Sequence, residues 1–294
     1  MKLGMTLEPF RGMSVKQVVP LLRLLDLNHF EINMTMIPKI DEFVKSLHKK
    51  TTTFHLPIYS RFFYDIGTQN PNYQMKIEQL IDFLNYNKER LNIKYVLTHP
   101  PEDPSSSNHS IIEKLEQINV PILIENVLGQ SDENFMEFYF QAKDLLGRKL
   151  AGHAIDAPHR FITHNKKWLD IPEEIKKEIE YVHISDCTKY ADLHLPLGLG
   201  ELPYDEFFSY LKNIGFRGII LQEVIPTIDQ LSSLLDSFLA SVKPFSLNRY
   251  RKLKILYGLT KPMINLAVNT SFKELRKSGH GLHTQDLAFE LVSH

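Results

Sequence analysis

Six residues of metal-ligating type close six short β-rich runs of this chain. His55 ends Phe-His-Leu-Pro, His99 ends Leu-Thr-His-Pro-Pro, and Glu125 ends Leu-Ile-Glu-Asn. Asp156 ends Ala-Ile-Asp, His183 falls in Tyr-Val-His-Ile-Ser-Asp, and Glu223 ends Leu-Gln-Glu-Val. His159 follows Asp156 by three residues, and Asp192 and His194 form an Asp-x-His pair. Gathered at one place, these carboxylates and imidazoles would repel and desolvate one another unless a cation sat among them. The single cysteine, Cys187, excludes a thiolate cluster and a disulfide framework. The set is therefore a nitrogen- and oxygen-donor site of Zn²⁺, Mn²⁺ or Mg²⁺ type, and its imidazole content favours Zn²⁺ or Mn²⁺.

The elements that must bring these residues together can be read from periodicity. Eight β-rich runs occur: Lys2–Thr6, His29–Asn33, Thr51–His55, Ile93–His99, Val120–Glu125, Gly152–Asp156, Tyr181–Ser185 and Gly218–Glu223. Between them, Val15–Leu25, Met75–Leu84, Ile111–Ile118, Asn134–Leu146, Tyr204–Ile214 and Ile228–Ala240 carry helix-spaced apolar residues. In the sixth connection, Asn165–Pro172 breaks any single helix. Eight strand–helix units in about 240 residues predict a (β/α)8 TIM barrel over residues 1–242, whose strand C-termini face the active site. An open doubly wound sheet is the alternative, because periodicity does not show closure. No glycine-rich phosphate loop accompanies the pattern.

Residues 243–294 are expected to form a basic, mostly helical C-terminal extension. Arg249–Val268 is interrupted by Gly258 and Pro262, with further short helices at Phe272–Lys277 and Thr284–Val292. This tail carries nine Lys/Arg against three Asp/Glu, so the net charge of −1 conceals −7 on the preceding 242 residues. Such a tail suits an acidic partner, a nucleic acid or a solvated helical surface. With 43% hydrophobic and 23% charged residues and no long apolar run, the composition is that of a soluble protein without a membrane span. A cytoplasmic location is expected.

These residues resemble the xylose-isomerase-like barrel superfamily, which holds endonuclease IV (a zinc-dependent apurinic/apyrimidinic endonuclease) and many sugar isomerases and epimerases. Ile124-Glu-Asn-Val-Leu-Gly-Gln130 is similar to the endonuclease branch's fifth-strand motif. Leu197-Gly-Leu-Gly-Glu-Leu202, followed by Phe216-Arg-Gly-Ile-Ile-Leu-Gln-Glu223, is similar to the end of the whole superfamily. The resemblance implies up to three zinc ions. His55, His99 and Glu125 would hold the first. Glu125 would reach a second, completed by Asp156, His183 and Glu223, and His159, Asp192 and His194 would hold the third. Departures bear on the substrate. The first strand reads Leu3-Gly-Met-Thr in place of Gly-Ala-His, Tyr59 stands one place late, and Asp192-Leu193-His194 lacks the branch's central arginine. The acidic barrel also disfavours a DNA backbone.

Two enzymatic readings follow. In the first, a metal-dependent hydrolase cleaves a phosphodiester or other phosphate ester, DNA being one such substrate. Glu125 and Glu223 are the catalytic carboxylates, with Glu223 orienting or deprotonating the nucleophile. Arg160 would meet the phosphate, and Tyr59 would contact substrate. In the second, a sugar or sugar-phosphate isomerase or epimerase uses one ion on Glu125, Asp156, His183 and Glu223, with Glu125 and Glu223 as the acid/base pair. A non-catalytic, metal-stabilised binding barrel is a third, remote reading. His153 reads as a packed histidine, Trp168 as a cover over the sixth connection, and Asp186 as a partner orienting an imidazole. The Tyr59–Tyr64 aromatics would line a substrate face or pack a lid.

Overall fold

The computed structural model describes residues 1–7, 26–47, 49–225 and 231–277. Eight parallel strands hydrogen-bond in sequence order, and the sheet closes because β1 pairs with both β2 and β8. They are β1 (Lys2–Leu7), β2 (His29–Ile32), β3 (Thr51–His55), β4 (Ile93–Thr98), β5 (Ile122–Glu125), β6 (Leu150–Asp156), β7 (Ile179–Ile184) and β8 (Ile219–Gln222). Closure settles the architecture as a (β/α)8 TIM barrel and removes the open-sheet alternative.

Strand alternation divides the side chains into two sets. Phe30, Ile32, Phe54, Val96, Ile124, Ile155, Val182 and Ile220 join the main core between sheet and helices. Tyr95, Leu97, Leu123, Ala154, Tyr181, Ile219 and Leu221 form a separate inner cluster within the barrel. The inner columns run on, two residues at a time, into the polar ends: Leu97 to His99, Leu123 to Glu125, Ala154 to Asp156, Tyr181 to His183 and Leu221 to Glu223. One parity thus fills the barrel below and delivers the polar residues to its mouth. Gly4 shares in this packing, since a Cβ there would lie 3.1 Å from the His29 ring and 3.0 Å from Leu221.

The connecting helices are α1 (Ile40–Leu47), α2 (Tyr59–Phe62), α3 (Pro71–Asn87), α4 (Asn108–Glu116), α5 (Asp132–Leu146), α6 (Ala157–His164), α7 (Glu173–Lys176), α8 (Tyr204–Asn213) and α9 (Leu231–Val242). Their starts carry the expected caps. Asn70 accepts from Asn72 N, Ser107 and Ser110 form a capping box, and Ser131 accepts from Asn134 N. The periodicity expected over Val15–Leu25 lies outside the described residues. Helix α1 was not anticipated, because it is short and follows directly on the Pro38-containing turn. The sixth connection is broken as expected, into α6, a single 3₁₀ turn and α7.

The chain then enters α10 (Leu247–Lys277), one helix that runs through Gly258 and Pro262. The interruption expected there is corrected. Pro262 has no N–H for the Gly258 carbonyl, so one bond of the ladder is missing while the helix continues on either side. Leu253, Tyr257 and Thr260 are buried along α10. Arg249 donates to Asp26 and Asn28 just before β2, which ties the start of α10 to the strand N-terminal end of the barrel, away from the mouth. The helix expected at Thr284–Val292 lies outside the described residues. No helix among the described residues is long and apolar enough to cross a membrane.

Candidate metal centre

His55, Glu125 and Asp156 are the last residues of their strands, His183 is the penultimate of β7, and His99 and Glu223 come directly after β4 and β8. All six converge at the strand C-termini. Two groups of donor atoms lie within 4.8 Å of one another: His55, His99 and Glu125; and Glu125, Asp156, His183 and Glu223. Glu125 is common to both, and its two oxygens divide between them. Oε2 lies 3.4 Å from His55 Nε2 and 3.3 Å from His99 Nε2, whereas Oε1 lies 3.0 Å from His183 Nδ1. His183 Nδ1 also stands 3.1 Å from Glu223 Oε2 and 3.8 Å from Asp156 Oδ2.

These spacings match a coordination sphere. Tetrahedral donors at Zn–N or Zn–O lengths of about 2.1 Å stand about 3.4 Å apart. His99 Nε2 and Glu125 Oε2 are buried and without a hydrogen-bond partner, as are Asp192 Oδ1 and His194 Nδ1. Orphaned buried acceptors are costly, and a shared cation is what would satisfy them.

Histidine tautomers are set from behind. His55 Nδ1 donates to the Leu56 carbonyl at 2.9 Å, His99 Nδ1 to Glu102, and His159 Nδ1 to the Asn126 carbonyl at 2.9 Å. Each leaves its Nε2 lone pair facing the cluster, the arrangement in which an outer partner fixes a metal-ligating imidazole. Glu102 is itself held by the Tyr59 N–H at 3.1 Å.

The remaining three residues come from the first turn of α6 and from the loop after β7. Asp156 caps α6 by accepting from His159 N at 2.6 Å, so the i, i+3 spacing carries His159 to the mouth. His159 Nε2 lies 3.3 Å from Asp192 Oδ2, and His194 Nε2 lies 3.6 Å from the same oxygen. His194 holds a left-handed backbone, φ 47°, which turns the Asp-x-His pair back toward the barrel.

Protons compete for this cluster. Burial opposes protonation of His99, but the Glu125 and Glu102 carboxylates raise it to about 9. His183 and His159 are likewise raised, burial being outweighed by their carboxylates. Burial, reinforced by Asp192, Glu125 and Glu223 and opposed by His159, pushes Asp156 up to about 7. Glu223 is held at about 2, because His183 and His194 overcome its burial. Without a metal, the site therefore gathers protons in place of cations.

Arg160 is a correction. Its side chain is 2% exposed, Nη1 and Nη2 donate to Asp132 at 2.5 and 3.3 Å, and Nε donates to the Trp168 carbonyl. The guanidinium is committed between α5 and α6 and is not offered to a phosphate. Asp186 is a second correction. Its carboxylate accepts from the backbone of Cys187, Gly198 and Leu202 instead of orienting an imidazole. That contact explains the Leu197–Leu202 motif, because a Cβ on Gly200 would approach Asp186 Oδ1 to 2.4 Å. His153 is buried against Phe135 and Tyr139, and Trp168 packs between Phe161 and Phe207. The aromatic run divides: Tyr64 is buried and stacks on Tyr73, whereas Tyr59 and Phe63 are exposed at the rim. Glu31, Glu102 and Asn126 were missed as supports. Glu31 lies on the inward parity of β2, but His29 precedes it there, so no apolar-to-polar step marks it in the sequence.

A closed parallel barrel with carboxylates and imidazoles converging on its C-terminal mouth defines a TIM-barrel protein with a candidate metal centre. The chain belongs to the Xylose isomerase-like TIM barrel family, which it matches over residues 25–241. It is 30% identical over 122 residues to "Uncharacterized protein MJ1311" of Methanocaldococcus jannaschii, a match covering 39% of this chain. The chain spans 40% of the length of that curated relative. Among solved structures it is similar to a D-tagatose 3-epimerase-like protein, with TM-score 0.63 and 22% identity over 83% of this chain and 98% of that one. It is similar to the IOLI protein with a bound zinc atom, with TM-score 0.59 and 17% identity over 83% and 96% of the two chains. It is also similar to an AP endonuclease, family 2, from Brucella melitensis, with TM-score 0.58 and 16% identity over 83% and 99%. Likenesses at these identities establish the fold. The superfamily's members are mostly enzymes, epimerases and an endonuclease group among them.

Proposed function

We propose that this chain is a divalent-metal-dependent hydrolase of phosphodiesters or other phosphate esters, working through a multinuclear, zinc-type site. The observation that carries the reading is the division of Glu125, with Oε2 toward His55 and His99 and Oε1 toward His183. One ion needs a single donor group, whereas a carboxylate shared between two groups suits adjacent ions. Divalent ions at such a site supply Lewis acidity, making water nucleophilic near neutral pH and neutralising charge on a phosphoryl group.

The chain's own residues do the rest. Glu223, 22% exposed at its side chain and kept ionised by His183 and His194, is placed to orient the attacking water as a hydrogen-bond acceptor. His159, Asp192 and His194 extend the donor set along the mouth, where a leaving alkoxide would emerge. Tyr59, 36% exposed on the rim, is placed to contact the substrate. With Arg160 committed elsewhere and −7 on residues 1–242, a compact phosphate ester suits the mouth better than duplex DNA. The donor set favours Zn²⁺ or Mn²⁺ over Mg²⁺.

One observation supports a second reading. Glu125, Asp156, His183 and Glu223 by themselves make a complete four-donor group, with two glutamates able to serve as acid and base. That set would suit a sugar isomerase or epimerase, in which His55, His99, Asp192 and His194 would serve substrate or structure. The test compares zinc-loaded wild type with Glu125→Gln on bis(p-nitrophenyl) phosphate and on an abasic oligonucleotide. A parallel assay follows solvent deuterium incorporation into a panel of ketoses. The hydrolase reading predicts phosphate-ester cleavage that falls more than about a hundredfold in the variant. Deuterium incorporation without cleavage would reject it in favour of the epimerase.

A further inference from the structure

Behind His183, on the side facing away from the other ligands, lies a buried polar chain that neither reading uses. Glu31, on β2, is 1% exposed inside the barrel. Its Oε2 accepts from His183 Nε2 at 2.9 Å and from the Tyr181 hydroxyl at 3.0 Å. The Tyr181 oxygen stands 3.2 Å from His29 Nε2, which also meets Thr53 Oγ1 at 3.0 Å, and His29 Nδ1 meets Thr51 Oγ1 at 2.8 Å. The Tyr181 hydroxyl and His183 Nε2 both donate to the same oxygen of Glu31, and His29 stands behind Tyr181 against Thr51 and Thr53.

A neutral imidazole has one donor nitrogen and one acceptor nitrogen. Were the His183 proton on Nδ1, the Nε2 lone pair would face Glu31 Oε2 at 2.9 Å, acceptor against acceptor. That proton would also hold the space shared with Glu125, Asp156 and Glu223, where it donates to Glu125 and where a cation would have to displace it. Without a cation His183 can donate from Nδ1 to Glu125 and from Nε2 to Glu31 together, whereas a cation in that space would take the Nδ1 lone pair and leave the proton on Nε2 toward Glu31. His183 is thereby the reverse of His55, His99 and His159, each of which gives up Nδ1–H and keeps Nε2 free.

We propose that Glu31 is the positioning residue of this centre, fixing His183 as an Nδ1 ligand by accepting its Nε2 proton, with Tyr181 holding the accepting oxygen in place. The assignment rests on the metal reading of the mouth. A carboxylate in this outer position also raises the basicity of the ligating nitrogen, and losing such a partner typically weakens metal binding ten- to a hundredfold.

Two measurements test it. Two-bond ¹H–¹⁵N correlations of zinc-loaded, ¹⁵N-labelled wild type should place the His183 proton on Nε2 and those of His55, His99 and His159 on Nδ1. Zinc affinity, from competition with a chromogenic chelator, should fall ten- to a hundredfold in Glu31→Leu. It should fall less in Glu31→Gln, whose amide oxygen still accepts. A purely structural role would lower the unfolding midpoint of the metal-free variants and leave zinc affinity of the folded protein unchanged, which would overturn the assignment. A His183 proton on Nδ1 would overturn it from the wild type alone, whether or not the variants fold. Wild type that takes up no zinc would overturn the metal reading and this assignment with it.

Discussion

Replacing Arg160 with methionine separates a structural arginine from a substrate-binding one. The side chain is 2% exposed and makes three hydrogen bonds, two to Asp132 and one to the Trp168 carbonyl. Methionine keeps much of the stem's apolar contact and removes all three donors. The Trp168 carbonyl then loses its charged donor, at about 1–3 kcal/mol. Asp132 loses its cation but is 17% exposed, so water recovers part of that loss, leaving about 1.5–3 kcal/mol. Together these give about 2.5–6 kcal/mol, centred on the range of about 3–5 kcal/mol for breaking a buried ion pair from one side. For a domain of this size, that lowers the melting temperature by about 10 °C. Urea unfolding of zinc-loaded Arg160→Met should show the loss as a lower midpoint at unchanged slope, with KM for a phosphate ester unchanged in the folded fraction. A variant of unaltered stability and a KM raised tenfold or more would refute the reasoning and return Arg160 to the substrate.

Other expectations follow from the same contacts. His153 is neutral in the fold, because burial and Arg160 lower it to about 3. Its contribution to stability is therefore complete above about pH 6.5 and is lost toward pH 3, at up to about 1.4 kcal/mol per pH unit. Unfolding of His153→Gln followed from pH 7 to pH 4 should show a shallower decline than wild type, and an equal decline would count against that assignment. Chelation of the metal should lower the melting temperature, since an ion at a hundred times its Kd stabilises by about 2.7 kcal/mol, or about 5–10 °C here. Zinc binding at pH 7.5 should release protons, as His99 is raised to about 9 in the metal-free site. Calorimetric enthalpies in buffers of different ionisation heat would show this, and buffer-independent enthalpies would contradict it.

The barrel could be read from the chain because its eight strands are short β-rich runs, six of which end at a metal-type polar residue. His99, Glu125, Asp156 and Glu223 announce themselves as the first polar residues after an apolar inward column, and His55 as the end of a short β-branched run. Glu31 does not, because β2 carries polar residues at successive inward positions, His29 and Glu31, and so lacks the apolar-to-polar step. Its significance depends on Tyr181 and His183, about 150 residues away in sequence and adjacent only once the barrel closes. Arg160 misled for a related reason. Position three of a helix after a metal-type aspartate points to the mouth for His159, and the next residue turns about 100° away into the layer between α5 and α6. The Asp186 contacts escape sequence reading because backbone N–H groups, unlike side chains, leave no compositional trace. In the tail, Gly258 and Pro262 read as helix breakers, yet one helix runs through both, a continuity that local propensity does not predict.

The central claim is that the barrel mouth is a multinuclear metal centre. It is tested most directly by counting divalent ions per chain, by elemental mass spectrometry, on protein purified without chelator, for wild type and for a His55→Ala/His99→Ala variant. The account predicts more than one ion per wild-type chain, mostly zinc, and fewer in the variant, whose remaining group of Glu125, Asp156, His183 and Glu223 stays filled. A single ion in wild type, unchanged in the variant, would contradict it and leave the four-donor group as the whole of the site.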